Sequence, residues 1–433
     1  MRKLFYAYLA LLAKLSLRRY KPLVIAVTGS VGKTTTKDMI AAVLQQRYRV
    51  RASERSYNNE LGLPLTILGA PSASSSALGW LGIVAKATVQ VFGYQRGYPQ
   101  VLVLEMGADH PGDLAYLTSI AKPDIAVLTA IAPVHLEFFK NIEEVAREKR
   151  SIFKSLKPNG TAILNEDDNV VSATKVDANM RTLRYGMSDN AGIKGSDVNM
   201  RFSLGQGSEE AKGEVNFKIS HEGSSVPVHL DGVLGEPAVL SALAASSVAL
   251  SLGMNLVDIS DVLSATYKGT PGRLRLLPGI KGTTVIDDSY NASPAAMIAA
   301  INVLVAVPKD KKNMRWAVLG SMAELGTETA HGHELVGAEL AKQRIDGLVT
   351  VGERARMIAQ TVREKGMDAR NIFSFAKAEE AGHFLQERLE PGDVVLIKGS
   401  QVVRMEKVVK EIMAEPSRAS ELLVRQGPEW QGR

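Results

Sequence analysis

Cysteine is absent from the 433 residues. That excludes a disulfide framework, a thiolate nucleophile and a Cys-ligated zinc site, and leaves oxygen and nitrogen as the only metal ligands. Aromatic residues make up only 6% of the chain, and no basic stripe interleaves with them, so no nucleic-acid partner is expected. The net charge of +6, from 52 basic against 46 acidic residues, is a modest excess. No repeat of about 20–50 residues is visible, which excludes solenoids and propellers. The early apolar run, Leu4–Ala13, is too short for a bilayer span of about 20 residues and is broken by Lys14, Arg18, Arg19 and Lys21. No small-residue cleavage site follows it, so it is not a secretory signal, and a cytoplasmic protein is expected.

What is present is an ordinary globular composition, 45% hydrophobic and 23% charged, at a length that implies two to four domains. Residues 1–21 read as an amphipathic helix. Two readings of it stand side by side: Leu9 and Leu12 dock on the protein, or they lie on a lipid interface with Arg18 and Arg19 at the headgroups, giving peripheral membrane contact through residues 1–20. From Pro22 the chain alternates apolar β runs with helical stretches, the pattern of a mostly parallel sheet covered by helices. Strands are expected at Leu23–Val27, Val101–Glu105, Ile125–Thr129 and Thr161–Leu164, with a helix over 35–46. Within 200–232, Val215, Phe217 and Ile219, then Val226, Val228 and Leu230, alternate with polar residues, which predicts an antiparallel hairpin inserted in this frame. Breakers at 268–272 mark a junction. Beyond it, strands at Thr284–Asp287, Trp316–Leu319, Gly347–Val351 and Val394–Ile397 with intervening helices predict a second, Rossmann-like α/β domain. It lacks G-x-G-x-x-G, so no dinucleotide cofactor is indicated. The expected organisation is an N-terminal helix (1–21), a central P-loop α/β domain (22–270), a C-terminal α/β domain (271–414) and a loose tail (415–433).

Directly after the first strand comes Thr28-Gly29-Ser30-Val31-Gly32-Lys33-Thr34-Thr35, then a helix. A strand, a glycine loop and a helix N-terminus aim backbone N–H groups and the positive helix end at phosphates. Gly29 and Gly32 let the backbone approach, Lys33 adds a point charge, and the Thr34 hydroxyl suits Mg²⁺. Val27 stands where the strict motif has its first glycine. Magnesium on a triphosphate takes one or two further protein oxygens or nitrogens. Glu105, at the end of VLVLE, and His135, just past IAVLTAI, both fall at carboxyl ends of strands, the edge where open α/β sheets bind ligands.

Several segments then match one family in order: TGSVGKTTT (28–36), SYNNELGLPLTIL (56–68), VLEMGADHPGD (103–113), VHLEFF (134–139), PGR (271–273), DDSYNASP (287–294), GSMAELG (320–326) and KGSQVVRME (398–406). The chain resembles the Mur ligases of peptidoglycan assembly over about residues 21–413. DDSYNASP and MAELG most resemble the members that add D-Ala-D-Ala to a muramoyl tripeptide. The resemblance implies an ATP- and Mg²⁺-dependent amide ligase that activates a muramoyl-peptide carboxylate as an acyl phosphate for attack by an amine. It implies that Gly29, Ser30, Val31, Gly32, Lys33, Thr34 and Thr35 cradle the phosphates, and that Thr34, Glu105 and His135 hold metal. Lys149, by sequence alone a solvated helix charge, matches a lysine whose carbamate binds a second magnesium. Asn58 and Asn59 match a loop over the reacting carboxylate. Arg273, Asp288, Tyr290 and Asn291 match nucleotide-site positions of the C-terminal domain, so the resemblance implies a site that forms when the domains close. Glu324, Lys398 and Arg404 are expected near the incoming amine and its carboxylate, in a protein taken to be monomeric.

Three departures accompany the resemblance. Family members ordinarily carry a UDP-sugar-binding domain before the phosphate loop, which here starts at residue 28. Donor anchoring is therefore expected from a partner, a lipid-linked donor at the membrane, the hairpin, or the 71–98 segment with Trp80, Phe92 and Tyr94. Glu236, Pro237 and Ser241 replace a family His-Asn and a later Asn, and Gln401 replaces an arginine. Two alternatives follow: a ligase acting on a different carboxylate, or a membrane-recruited ATPase that joins nothing.

Overall fold

Apolar runs closed by glycine, proline or a polar turn residue become the innermost strands, because a strand covered on both faces has no solvent side to keep polar. The computed structural model describes residues 2–53, 57–71, 77–93, 97–203, 212–343, 345–427 and 430. Two units are distinguished: Met1–Asp197 with Phe217–Val228 and Val239–Tyr267, and Val198–Asn216 with His229–Ala238 and Lys268–Arg433.

The first sheet comprises β1 (Leu23–Thr28), β2 (Val50–Ala52), β3 (Val101–Glu105), β4 (Ile125–Leu128), β5 (Thr161–Asn165), β6 (Arg181–Gly186), β7 (Ile193–Ser203), β8 (Lys212–His221) and β9 (Ser224–Asp231). Their order is β2-β3-β1-β4-β5-β6-β7-β8-β9, and the neighbours from β2 to β7 pair in parallel. The chain passes to one side of β1 for β2 and β3 and to the other for β4. This topological switch opens a crevice at the carboxyl end of β1, between the exits of β3 and β4. The expected hairpin is β8–β9. Its two-residue turn, Glu222-Gly223, has φ of 47° and 80°, the left-handed pair that matches the twist of a tight hairpin. Val215, Phe217, Ile219, Val228 and Leu230 face inward.

The helices of this unit begin with α1 (Arg2–Tyr20), α2 (Lys33–Leu44), α3 (Gly62–Leu68), α4 (Ala77–Phe92), α5 (Asp113–Ile120) and α6 (Ile142–Lys154). Of the two readings of the N-terminal helix, the structure shows the docked one for Leu9 and Leu12. Both are buried, with Ala13, in a core shared with Val24, Leu63 and Leu102. Each such leucine contributes about 1.5–3 kcal/mol. Helix α4 was not expected from the sequence; it is apolar all round, so no period stands out. Trp80 and Phe92 belong to it, while Tyr94 lies outside the described residues.

The second sheet comprises β10 (Arg275–Pro278), β11 (Thr284–Asp288), β12 (Arg315–Gly320), β13 (Gly347–Val351), β14 (Ile372–Phe375) and β15 (Val394–Lys398), in the order β10-β11-β15-β12-β13-β14. All neighbours are parallel except the antiparallel edge pair β10–β11. Of the segment from Glu415, expected to be loose, residues 415–427 are instead docked: Ala419, Leu422 and Leu423 are buried with Val285, Trp316 and Val395. Its prolines and glycines suggested disorder, but three apolar anchors outweigh them.

Candidate active site

The loop between β1 and α2 is stapled to the exit of β4. Ser30 N donates to Ala130 O at 2.7 Å, Ala132 N donates to Ser30 Oγ at 3.0 Å, and Thr129 Oγ1 donates to Val31 O at 2.6 Å. Gly29 and Gly32 have φ of 148° and 85°, and a Cβ on Gly29 would sit 2.0 Å from Thr129 Oγ1. Glycine is therefore required at 29 by space as well as by backbone. Gly29→Ala is expected to weaken ATP binding at least about tenfold and to cost about 1–3 kcal/mol of stability, checked by titration calorimetry and urea unfolding. Lys33 curls back so that Nζ donates to Gly29 O at 2.7 Å and Ser30 O at 3.3 Å. This keeps the ammonium at the loop, where the first N–H groups of α2 also converge; Thr34 and Thr35 follow in the same first turn.

At the neighbouring strand end, Glu105 is 1% exposed. Its Oε2 accepts from Thr34 Oγ1 at 2.9 Å and its Oε1 from Asn58 Nδ2 at 3.0 Å. A hydroxyl and an amide thus fix both oxygens of this buried carboxyl group. Hard oxygens from Thr34 and Glu105 beside a phosphate loop fit magnesium. Asn59 is differently engaged: its Oδ1 accepts from Leu61 N and Gly62 N in the turn that leads into α3. His135, in the left-handed region at φ 56°, places Nε2 3.2 Å from Asp109 Oδ1. It thus pairs with an acid the sequence reading had not singled out, and among the described residues no three His, Asp or Glu gather closely enough to hold a metal.

Lys149 sits on α6, a helix started by Asn141 capping Glu144 N. The sequence shows a charged stretch there, but Val145, Lys149, Ile152 and Phe153 form its inward face. The lysine is 1% exposed, with Nζ 3.5 Å from Ala108 O. Burial, and next the Lys33 cation, push its amine down to about 7, against the opposing pull of Asp109, Glu148 and Asp113. A neutral amine near pH 7 is a nucleophile, which a solvated lysine is not.

In the second unit, strand register sets Asp288 beside Lys398. They pair at 2.7 Å with side chains 8% and 3% exposed. Lys398 also donates to Asn291 O at 2.9 Å, so it is engaged rather than held out for a substrate carboxylate. Asp288→Asn would leave the lysine buried without its anion. A loss of about 3–5 kcal/mol is expected, largely recovered in Asp288→Asn/Lys398→Met, as thermal unfolding would report. Asp287 is fully buried and accepts from Gly272 N and Ser289 N, both at 3.1 Å. Burial raises its carboxyl to about 6. The Arg273 guanidinium lies 4.0 Å from the centroid of Tyr290. Glu324 is exposed and left-handed at φ 62°; Arg404 is also left-handed, at 61°. Arg404 Nε donates to Glu406 at 2.5 Å.

Sequence reasoning missed Arg425. Its side chain is 4% exposed, lies 3.1 Å from Glu406 Oε2, donates to Ser289 O and Tyr290 O, and sits 5.1 Å from the Tyr290 centroid. The docked tail thus clasps the 288–291 turn. The only signal was the arginine itself, in a segment rich in breakers.

The Mur ligase middle domain model matches residues 27–78 and 87–249, and the Mur ligase glutamate ligase domain model matches 272–401. The UDP-N-acetylmuramoyl-tripeptide–D-alanyl-D-alanine ligase of Mycobacterium tuberculosis is 30% identical over 431 residues, covering 94% of this chain and 78% of its own length. That of Bacillus subtilis is 31% identical over 405 residues, covering 94% and 79%. Among solved structures, the MurF ligase of Thermotoga maritima in complex with ADP superposes with a TM-score of 0.74 at 29% identity, covering 94% of this chain and 83% of its own.

Proposed function

Because the chain belongs to the Mur ligase family, we propose that it is an ATP-dependent amide ligase that joins D-alanyl-D-alanine to the free carboxylate of a UDP-N-acetylmuramoyl-tripeptide. What carries this reading is the similarity of 30–31% that runs over 94% of the chain to relatives bearing that activity. Nucleotide-linked substrates and ATP place the reaction in the cytoplasm.

The phosphate loop amides and Lys33 hold the ATP phosphates in line with a carboxylate oxygen, which attacks the γ-phosphorus. The bond to ADP breaks and an acyl phosphate forms. The dipeptide amine then attacks the acyl carbon; the tetrahedral adduct expels phosphate and loses a proton, leaving the amide. Charge stabilisation suffices for both steps, so the lack of a nucleophilic side chain is no obstacle. Thr34, Glu105 and His135 would hold magnesium and a carbamate on Lys149 a second magnesium, and these ions would supply Lewis-acid neutralisation of the phosphate charge. Asn58 steers the Glu105 carboxylate. In the second unit Arg273, Asp288, Tyr290 and Asn291 serve the nucleotide, and Glu324 and Arg404 the acceptor.

The test is incubation of the purified protein with ATP, Mg²⁺, UDP-N-acetylmuramoyl-tripeptide and D-alanyl-D-alanine. The pentapeptide product is expected by mass, with phosphate release that needs both donor and amine. Phosphate released without an amine would establish an ATPase, and product from a different carboxylate alone would reassign the donor.

A further inference from the structure

Helices α1 and α4 lie side by side and run in the same direction. Phe5 meets Trp80 edge-on at 5.3 Å near their starts; near their ends Arg19 Nη1 donates to Val91 O at 3.0 Å and the Tyr20 hydroxyl to Gln90 O at 2.7 Å. Their inward faces are spent on the core: Leu9, Leu12 and Ala13 from α1, and Ile83, Ala87 and Val91 from α4. Their outward faces are apolar too. Leu4, Tyr8 and Leu11 follow the i, i+4, i+7 spacing and are 76%, 42% and 50% exposed; Leu81, Val89 and Phe92, aligned with Ala85, are 67%, 69% and 72% exposed. Together these are six of the twelve large hydrophobic side chains that the described part of the molecule exposes. The strip on α4 alone is about 16 Å long at 1.5 Å per residue.

Within these two helices the charge has one sign. The first acidic residue of the chain is Asp38, and none occurs between Glu60 and Glu105, so both helices lie wholly in acid-free stretches. Arg18, Arg19 and Lys21 are exposed at the end of α1, and Lys86 on α4. The middle-domain match stops at residue 78 and resumes at 87, so the interruption falls inside α4 and takes in Leu81, while Val89 and Phe92 lie within the match.

We propose that the outward faces of α1 and α4 form a docking surface for an anionic lipid bilayer, with Leu4, Leu11, Leu81, Val89 and Phe92 entering the interface and the flanking cations meeting lipid phosphates. The helices lie on the membrane and do not cross it; among the described residues no helix is long and apolar enough to do so. Two parallel, adjacent helices with exposed apolar side chains and long cations in the same segments suit the headgroup boundary. A second copy of this chain docking through the same two helices would bring no acidic residue of theirs to these cations. The inference is independent of the ligase reading, since it concerns binding and not turnover.

The test is flotation of the full chain with vesicles of about three parts phosphatidylcholine to one part phosphatidylglycerol, against phosphatidylcholine alone. The protein is expected to float with the anionic vesicles and to be released as salt rises. In Leu81→Glu/Val89→Glu/Phe92→Glu the bound fraction should fall about tenfold or more, with thermal unfolding unchanged. Should that variant fail to fold, Arg18→Gln/Lys21→Gln, which leaves every apolar contact in place, must lose binding to the anionic vesicles. No flotation of the intact chain, or flotation unaffected by either variant, overturns the proposal. So does light scattering that shows a dimer dissolved by the triple substitution, which would make the strip an interface between copies.

Discussion

Lys149→Met is expected to lower turnover by about 10²–10³-fold or more while leaving the protein folded and at least as stable. The methionine fills the space of the lysine stem, and the substitution removes an ammonium that burial disfavours. If the lysine served only to pack α6, methionine would be close to neutral for activity. If it works as the anion made when CO₂ adds to its amine, methionine cannot replace it, and a short carboxylate such as formate should restore part of the rate by occupying the vacated space. Arginine, always charged, should fail as well.

The pH dependence follows from the same burial. Carbon dioxide adds only to the neutral amine, which loses its proton near pH 7 here instead of near 10.5. Under limiting CO₂, activity should therefore rise as pH passes upward through about 7 and fall below it. A solvated lysine would show that rise some three units higher. Folding stability carries a parallel signature. Between about 7 and 10.5 the unfolded chain binds the proton that the folded chain releases, so stability should grow with pH across this window. Lys149→Met should lose that slope. Unfolding measured at pH 6 and pH 9 in parallel for both proteins checks it.

Much of the fold was legible because buried parallel strands announce themselves: VLVLE, IAVL and VVLIK became β3, β4 and β15 within a residue. The hairpin was equally plain, since one half-buried face enforces alternation. Helix α4 was not, because a helix apolar on every side has no period to detect. The phosphate loop could be read from glycine, lysine and strand-helix context alone. Lys149 could not, because its burial depends on how α6 packs on the loop after β3, a long-range fact that AREKRS does not encode. The Asp288–Lys398 pair illustrates the same limit: 110 residues separate them, and only the β11–β15 register makes them neighbours. Asn59 is the reverse case, where ordinary turn chemistry already accounts for its side chain.

Lys33→Ala is expected to abolish turnover, at least about 10³-fold, with a stability that stays the same or rises by about 0.3–1 kcal/mol. The sign of the second effect follows from position. Lys33 opens α2, so its ammonium sits against the positive end of the helix, an unfavourable place for a cation that only an arriving triphosphate makes favourable. A residue that costs stability and is indispensable for activity belongs to a binding site, whereas a structural lysine would lose both together. The substitution should also reach Lys149. Its ammonium helps hold that amine down to about 7; without it the amine should keep its proton to higher pH and take up less CO₂ at neutrality. The two lysines are then coupled, and the loss in Lys33→Ala/Lys149→Met should fall well short of the product of the single losses. Full multiplicativity, measured in single-turnover formation of acyl phosphate at saturating CO₂ and again at limiting CO₂, would mean that each acts alone and that the field between them has no part in the chemistry.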